Sequence, residues 1–341
     1  MTRHPTVTVV VPTFNEERHL RATLDSVAAQ TYPAIVEVLV ADGRSTDTTR
    51  DIALEFTGVR VVDNPERAQS GGLNRALDAA RGEITVRVDG HCVLATDYVE
   101  RCVEALEGTG AAMVGGAMTP APDVARASAT QRGIATAMAS RLGAGPARFH
   151  VGGRPGWVDT VYLGAFRTKD ARAVGGYAVD VGVNEDAEFA IRMRAHGGIW
   201  FDPQIRSVYV PRSTVASLGR QFYRYGRSRA LTARRHPRQV RLRQLAAPAL
   251  VLGMLSGRRR QIAAAYASVV LVRAAREVGK DRGSALSFAA ALPVMHFCWG
   301  VGFIRGVLVP QSVGPAGAAP VADESLNRTG DPADGMRTRP S

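Results

Sequence analysis

The stretch Thr6–Glu17, "TVTVVVPTFNEE", decides the fold. β-branched residues fill Thr6–Val11 continuously, which is the pattern of a strand buried on both faces of a sheet. Pro12 closes the strand, and a polar loop follows through Glu17. Because such a strand needs helices on both sides, the stretch predicts an α/β protein with a mostly parallel central sheet. The apolar run is too short for the core of a signal peptide, so the chain is expected to start in the cytoplasm.

Strands and helices alternate downstream of this stretch. The pattern predicts further strands at Ile35–Ala41, Val59–Val62, Ile84–Val88, Ala112–Met118, Val158–Phe166, Ile199–Phe201 and Ser207–Val210, and helices at Arg18–Gln30, Gly71–Ala80 and Tyr98–Leu106. Polar loops follow three of the early strands, at Pro12–Glu16, at Asp42 and at Asp89–His91. Because ligands bind beyond the carboxyl ends of parallel strands, these loops predict a shared site. A plain Asp-Gly turn is the alternative for Asp89–His91.

The charge of the chain restricts its partners. The 341 residues carry a net charge of +12, and 45% of them are hydrophobic, so the chain is basic and able to fold. Residues 191–243 are dense in arginine and contain one acid, Asp202. Apolar segments follow this block directly, which favours an anionic membrane surface over nucleic acid as its partner. The three cysteines have neither metal-ligand spacing nor a disulfide framework.

The C-terminal third contains three apolar segments. Leu245–Ser256 and Gln261–Val272 are too short to span a membrane as helices, and an interfacial hairpin is expected for them. Ala285–Ile304 has no formal charge apart from His296 and is the best spanning candidate. Packing of all three helices on the preceding domain is the alternative. The preceding arginines predict a cytoplasmic domain at the inner membrane.

The segment boundaries predict three regions. Residues 1–235 form the α/β domain, residues 236–310 the hydrophobic helices, and residues 311–341 a disordered tail with little to bury.

Four motifs occur in a recognisable order. They are "VVVPTFNEE" from Val9, "ADGRSTDTT" from Ala41, "RVDGH" from Arg87, and "NEDAEFAIRMRAHG" from Asn184 followed by "QFYRYG" from Gln221. With this order the chain resembles the inverting family 2 glycosyltransferases of GT-A fold, and especially their membrane-associated succinoglycan-biosynthesis branch. The resemblance covers roughly residues 7–229 and the segment "PVMHFCWGVGF". It implies sugar transfer from a nucleotide sugar, expected to be a UDP-sugar, to a lipid-linked or polysaccharide acceptor in exopolysaccharide or cell-envelope glycan synthesis.

The resemblance also implies the residues that bind the nucleotide sugar. These are Pro12, Thr13, Asn15, Glu16, Asp42, Gly71, Asn74, Asp89, Gln221 and Arg224. Asp42 is expected to contact the uracil or the ribose, opposite Thr13 and Glu16. The alternatives are structural: Asp42 caps a helix, and Arg224 is one more membrane-facing cation. Tyr225 replaces the Trp of the family motif, so processivity is not predicted.

A divalent cation is expected at Asp89 and His91. The leaving diphosphate needs its charge neutralised, and a hard cation held by one or two protein ligands does this. His91 stands where the family has a second acid. Histidine suits Mn²⁺ better than Mg²⁺, so Mn²⁺ is favoured, with Mg²⁺ open. A second possibility is that Asp89 alone contacts the cation, through water molecules.

The acidic pair Glu185 and Asp186 is expected to supply the general base. A carboxylate takes the proton of the acceptor hydroxyl while that hydroxyl attacks the sugar from the face opposite the nucleotide. The motif favours Asp186, and stabilisation of a helix N-terminus is the alternative. Trp157, Asp159 and Tyr162 are expected to line the acceptor side.

Three other functions were weighed against this interpretation. Direct transfer to a polyprenyl phosphate differs only in its product. A nucleotidyltransferase would need a glycine-rich loop followed by arginine near the N-terminus, which "VPTFNEERHL" lacks. A non-catalytic membrane scaffold would leave Asp42, Asp89 and Asp186 without a role.

Overall fold

The computed structural model describes residues 4–120, 128–209, 214–277 and 282–309. The predicted tail at 311–341 lies outside these residues. Within them the strands are β1 Val7–Thr13, β2 Ile35–Asp42, β3 Val59–Asp63, β4 Ile84–Arg87, β5 Cys92–Leu94, β6 Met113–Pro120, β7 Gly156–Val158, β8 Tyr162–Arg167 and β9 Ile199–Tyr209.

The helices follow the strands in alternation at first and then dominate the C-terminal third. They are α1 Leu20–Ala28, α2 Thr49–Leu54, α3 Gln69–Ala79, α4 Tyr98–Thr109, α5 Ala129–Met138, α6 Arg148–Val151, α7 Thr168–Ala173, α8 Glu185–Met193, α9 Val215–Arg235, α10 Ala246–Gly253, α11 Arg259–Glu277 and α12 Arg282–Leu308.

The described strands form one mixed sheet in the order β3-β2-β1-β4-β8-β6-β9-β5, and β7 pairs with β9. The half β3-β2-β1-β4 is entirely parallel. Thr13 lies opposite Asp42, and Asp42 lies opposite Asp63, so these strands end together at one edge. The predicted convergence of the polar loops is therefore confirmed.

Strand β1 is covered on both faces, as its sequence predicts. Val9 and Val11 belong to one core cluster, with Leu20 and Leu24 of α1. Val10 points to the opposite cluster, which contains residues of α3 and α8. Helices on both sides therefore fix the position of the strand whose polar end enters the site.

A third core joins helices from both sides of the predicted boundary at 235/236. It contains Ile134 of α5, Phe222 of α9, Val270 of α11, and Phe288 and Met295 of α12. The helices approach closely through glycines in α9 and α12. A β-carbon at Gly226 would overlap the carbonyl oxygen of Trp299, and one at Gly302 would overlap the carbonyl oxygen of Tyr223.

One described helix, α12, contains a segment long and apolar enough to cross a membrane, Gly283–Leu308. About 39% of its most apolar window is buried against the rest of the chain. Leu286, Val301 and Leu308 are exposed on the same helix. The helix therefore packs partly on the domain and also presents an apolar face outward, and its crossing of a membrane stays a prediction.

Three predicted strands have different bounds in the structure. The predicted strand Val158–Phe166 is divided, because β7 ends at Val158, β8 begins at Tyr162, and residues 159–161 belong to neither strand. The predicted pair Ile199–Phe201 and Ser207–Val210 forms the single strand β9 as far as Tyr209, and Val210 lies outside the described residues.

A shift in the pairing of β9 with β6 explains why the sequence predicts two strands where the structure has one. The partner of Gly116 is Asp202, whereas the partner of Ala117 is Arg206, so the residues between them bulge out of the pairing. Such a bulge accommodates Pro203, which cannot donate a ladder hydrogen bond. Helix α5 is also not among the helices predicted from the sequence.

Gly226→Ala should destabilise the helical layer. Its β-carbon meets the backbone of Trp299, which cannot rotate away, so we expect a loss of about 1–3 kcal/mol in the free energy of unfolding. Thermal unfolding of the purified full chain in detergent measures this loss. Gly257→Ala is the matched control, because nothing lies within 4 Å of the added atom. Equal melting temperatures for the two variants would contradict the close packing of α9 on α12.

Candidate active site

A cleft with about 510 Å³ of empty space opens at the carboxyl edge of the parallel strands. Three loops line it, those after β1, β3 and β4. Their lining residues are Pro12, Thr13, Phe14 and Glu16; Asn64, Arg67, Ala68 and Gln69; and Asp89, Gly90 and His91. The cleft therefore brings together five of the predicted site residues: Pro12, Thr13, Glu16, Asp89 and His91.

Two features hold the loops in place. The Asn15 backbone has a positive φ of 54°, which asparagine tolerates better than most residues. Its side-chain oxygen accepts a hydrogen bond from the Thr46 N–H at 2.9 Å, which ties the β1 loop to the β2 loop. Gly90 lets the β4 loop approach the β1 loop, because a β-carbon there would lie 3.1 Å from a methyl carbon of Thr13.

Buried Arg87 joins Asp89 to Glu185. Its Nε donates to Asp89 Oδ1 at 3.1 Å, and its Nη2 lies 3.3 Å from Glu185 Oε1. Gln69 donates a further hydrogen bond to Asp89 Oδ1 at 3.1 Å. Asp89 and Glu185 are only 8% and 3% exposed. The predicted metal ligand and the predicted acidic pair are thus bridged by one guanidinium group.

The three charges alter one another's ionisation. Burial alone would lower the pKa of Arg87, but the Asp89 and Glu185 carboxylates outweigh burial and raise this pKa well above its ordinary value. Burial raises the pKa of Glu185 to about 7, although Arg87 opposes the shift. Burial also raises the pKa of Asp186. A carboxyl that titrates near neutral pH is suited to accept a proton.

Asp186 differs from Glu185 in its surroundings. Its side chain is partly exposed, whereas Glu185 is buried. Asp186 Oδ1 accepts the N–H of Ala187 at 2.7 Å at the start of α8. The third acid of this turn, Glu188, binds Arg192 and His236. Asp186 is therefore the more exposed member of the predicted pair.

Glu16 and His91 interact across the cleft, with Glu16 Oε1 2.9 Å from His91 Nδ1. A carboxylate on one ring nitrogen fixes the tautomer and orientation of a metal-binding histidine. Among the described residues, no group of three or more His, Cys, Asp or Glu side chains is arranged to hold a metal ion. The donors of the cleft, Asp89, His91 and Glu16, fit a cation that takes one or two protein ligands and completes its shell with phosphate oxygens.

Two polar atoms in the cleft have no hydrogen-bond partner among the described residues. They are the Thr13 hydroxyl and the Asn64 side-chain oxygen, and both are buried. Buried polar groups are nearly always satisfied, so these two atoms suit a polar ligand in the cleft.

Three other predicted residues support the site from outside the cleft lining. The Asp42 carboxylate accepts a hydrogen bond from the Ser45 hydroxyl at 2.6 Å, within the loop after β2. It does not cap the next helix, α2, whose N-cap residue is Thr48. A β-carbon at Gly71 would lie 3.2 Å from Asn64 Oδ1, so its lack of a side chain lets α3 approach a cleft residue. Asn74 bonds to the backbone N–H and carbonyl of Tyr177. Their contact with a nucleotide stays a prediction.

Gln221 and Arg224 lie on α9. Gln221 donates to the Tyr225 hydroxyl at 2.8 Å, and its side-chain oxygen is buried without a partner in the described part of the chain. Arg224 is exposed. Their roles toward a diphosphate also stay predictions.

Comparison with known proteins identifies the family. Residues 8–169 match the model of Glycosyl transferase family 2. The chain is 34% identical over 316 residues to succinoglycan biosynthesis protein ExoA of Rhizobium meliloti, a match that covers 88% of this chain and 94% of that protein. The chain belongs to glycosyltransferase family 2. It is therefore an enzyme, a glycosyltransferase related to proteins of exopolysaccharide synthesis.

Two further relatives of this family 2 glycosyltransferase are informative. It is 26% identical over 243 residues to the dolichyl N-acetyl-alpha-D-glucosaminyl phosphate 3-beta-D-2,3-diacetamido-2,3-dideoxy-beta-D-glucuronosyltransferase of Methanococcus voltae, covering 67% of this chain and 74% of that protein. The mannosyltransferase PcManGT of Pyrobaculum calidifontis, solved in complex with GDP-Man and Mn²⁺, has a TM-score of 0.58 at 22% identity, with 86% of each chain covered. This likeness confirms the predicted GT-A fold.

Sequence reasoning missed four site residues of the glycosyltransferase. Arg87 carries a usable signal, because a charged residue inside a buried strand requires a charged partner nearby. Gln69 and Asn64 have no distinguishing pattern. Arg67 has a positive φ of 55° and lies over the Phe14 ring at 5.8 Å, which a sequence does not reveal.

The stability of the enzyme should fall as Glu185 ionises. Its folded-state pKa of about 7 lies above the ordinary 4.5, so the folded chain binds this proton more tightly than the unfolded chain does. The contribution of Glu185 is therefore fully present below about pH 4.5 and is lost as pH rises through about 7. The loss is on the order of 3 kcal/mol.

Denaturant unfolding of the wild type and of Glu185→Gln across this pH range measures the effect. The glutamine cannot ionise, so the stability of the variant relative to wild type should rise with pH. Glu55→Gln, at an exposed position, should give a profile parallel to wild type. A parallel profile for Glu185→Gln would show that Glu185 ionises normally.

Proposed function

We propose that this glycosyltransferase moves a sugar, with inversion, from a nucleotide sugar to a lipid-linked or polysaccharide acceptor in exopolysaccharide or cell-envelope glycan synthesis. The observation that carries the proposal is the Arg87 bridge between Asp89 of the cleft and Glu185 of the acidic pair. A transferase of this kind needs a diphosphate site close to a base, and the bridge joins the candidate cation ligand to Glu185, the residue directly before the proposed base Asp186. A UDP-sugar is the expected donor.

The cleft supplies groups for the donor nucleotide. The buried Thr13 hydroxyl and the Asn64 oxygen offer hydrogen bonds that no described residue uses. The Phe14 ring and the Arg67 guanidinium add an aromatic face and a positive charge. The Pyrobaculum mannosyltransferase of the same fold was solved with GDP-Man and Mn²⁺, which supports a nucleotide sugar as the donor class.

Asp89 and His91 are the residues that would hold a divalent cation, Mn²⁺ or Mg²⁺. Such a cation, when bound, neutralises the charge that develops on the leaving nucleoside diphosphate. Glu16 orients His91, and Arg87 and Gln69 orient Asp89. These three residues are therefore positioning residues for the cation ligands.

Asp186 is the proposed general base, and Glu185 is the proposed charge partner of Arg87. Asp186 is partly exposed and follows directly after the bridged Glu185. Its pKa is raised by burial, which strengthens it as a proton acceptor. It takes the proton of the acceptor hydroxyl as that oxygen attacks the anomeric carbon, and the bond to the diphosphate breaks on the opposite face.

A lipid-linked acceptor is supported by two observations. The Methanococcus relative is named for transfer to a dolichyl phosphate-linked sugar. Helix α12 is long and apolar enough to cross a membrane and exposes Leu286, Val301 and Leu308. We place the enzyme at the inner membrane with its catalytic domain in the cytoplasm, since the arginine-rich stretch precedes α12.

Release of nucleotide from a panel of UDP-, GDP- and dTDP-sugars tests the donor and the cation. Membranes containing the wild type should turn over one donor with Mn²⁺. Asp89→Asn should lower this turnover at least 100-fold, because the cation loses its carboxylate ligand. Asp25→Asn, the same change on the exposed face of α1, should behave as wild type. Full turnover of that donor by Asp89→Asn, or in EDTA, would exclude a cation at Asp89.

Asp186→Asn tests the base. The amide keeps the shape of the side chain but does not accept the proton, so sugar transfer should fall at least 1,000-fold. Binding of the nucleotide, measured by calorimetry on the purified enzyme, should stay within a few-fold of wild type because the cleft is unchanged. Loss of nucleotide binding together with transfer would indicate a structural role for Asp186 instead.

A further inference from the structure

Three arginines contact the single carboxylate of Asp159, which follows strand β7, and the charge of a fourth arginine acts on it. Arg241 donates to its Oδ1 at 3.0 Å, and Arg243 donates to its Oδ2 at 3.1 Å. Arg194 lies 3.4 Å from Oδ1. The fourth member is Arg229 of α9, whose charge interacts with Asp159. We call Arg194, Arg229, Arg241 and Arg243 the arginine cluster.

The cluster has more positive charge than Asp159 neutralises. Arg229 Nε is buried without a hydrogen-bond partner in the part of the chain that the structure describes. Burial lowers the pKa of Arg229, and Arg243 and Arg194 lower it further, while Asp159 opposes them. A group of like charges held together around an unsatisfied buried donor needs an additional anion.

The cluster lies between the proposed base and the apolar helices. Arg229 lies one helical turn before Thr232 on α9, and Thr232 accepts a hydrogen bond from Asn184, the residue directly before the acidic pair. Arg241 and Arg243 flank Leu242, which is 87% exposed, and α10 begins three residues after Arg243. An anion bound here would have the base on one side and an exposed apolar surface on the other.

A purely structural ion-pair network explains these observations less well. One arginine neutralises one carboxylate, whereas here four guanidinium groups share it. The side chains of Arg241 and Arg243 are about half exposed, at 54% and 53%, and exposed ion pairs contribute little stability. Arg241 and Arg243 point toward Asp159, and the Nε of Arg229 has no hydrogen-bond partner in the described residues. This arrangement is better explained by an anion site than by a purely structural role.

We propose that the arginine cluster binds the diphosphate of a lipid-linked acceptor. Guanidinium groups bind phosphate oxygens in pairs, and four of them beside one carboxylate leave an excess of positive charge that can neutralise the two negative charges of a diphosphate esterified by a lipid and a sugar. The lipid chain then extends along the exposed apolar surface near Leu242, and the acceptor sugar extends toward Asp186. The proposal rests on the proposed function and names the acceptor class for the same site.

Binding of farnesyl diphosphate to the full chain in detergent micelles, with EDTA present, tests the proposal without any donor. Wild type should bind this probe at least 10-fold more tightly than farnesol, which lacks the diphosphate. The double variant Arg241→Gln/Arg243→Gln should weaken binding of the probe at least 10-fold. Arg258→Gln/Arg259→Gln, a matched exposed pair at the start of α11, should stay within twofold of wild type. Unchanged melting temperatures confirm that both double variants fold.

Four results would overturn the proposal. The first is that Arg241→Gln/Arg243→Gln binds the probe as wild type does, and the second is that both double variants weaken probe binding equally. The third is that excess UDP displaces the probe, which would place the probe in the donor cleft. The fourth is that dispersed phosphatidylglycerol displaces the probe as well as unlabelled probe does, which would indicate a site for bulk lipid headgroups. Failure of every donor to turn over, with probe binding as expected, would instead contradict the proposed function and leave the anion site intact.

Discussion

The site depends on one buried guanidinium group. Arg87 lies within a strand of the sheet and is enclosed by protein, so its charge is tolerable only because Asp89 and Glu185 flank it. Asp89 and Glu185 depend on Arg87 in turn, because two buried carboxylates that contact the same group need a cation between them. One charge therefore fixes the relative position of the cleft and of helix α8, and it holds Glu185 nearer to ionisation than burial alone would. Loss of Arg87 would leave both carboxylates unpaired in a poorly solvated site.

The parts of the fold that the sequence predicts well are those with strong local patterns. The β-branched run of β1 and the polar loops after it predict both the parallel half-sheet and the edge where the cleft lies. Asp89 and His91 lie in the cleft because β4 pairs in parallel with β1, so that the loop after β4 reaches the same edge of the sheet as the loop after β1. Local pattern suffices here because a buried parallel strand admits few alternatives.

Long-range contacts account for what the sequence does not reveal. Strand β9 continues across Pro203 because a bulge against β6 accommodates it, and a bulge depends on the partner strand. Gly71, which is expected to bind the nucleotide sugar, also allows α3 to approach Asn64. Asn74 likewise bonds to the backbone of Tyr177, 103 residues away. In each case the residue type is informative, but the partner is set by tertiary packing.

Helix α9 connects the apolar helices to the acidic pair without an intervening loop. Along one part, its Gly226 lies against the backbone of α12. At its carboxyl end, Thr232 accepts a hydrogen bond from Asn184, and His236, the next residue after the helix, binds Glu188. These two contacts lie on either side of Glu185 and Asp186 in the sequence. Because the same helix contacts α12 near its middle and the turn of the acidic pair at its carboxyl end, α9 fixes the position of α12 relative to Asp186. An acceptor held by its lipid at the level of α12 would then present its sugar at a fixed height relative to the base.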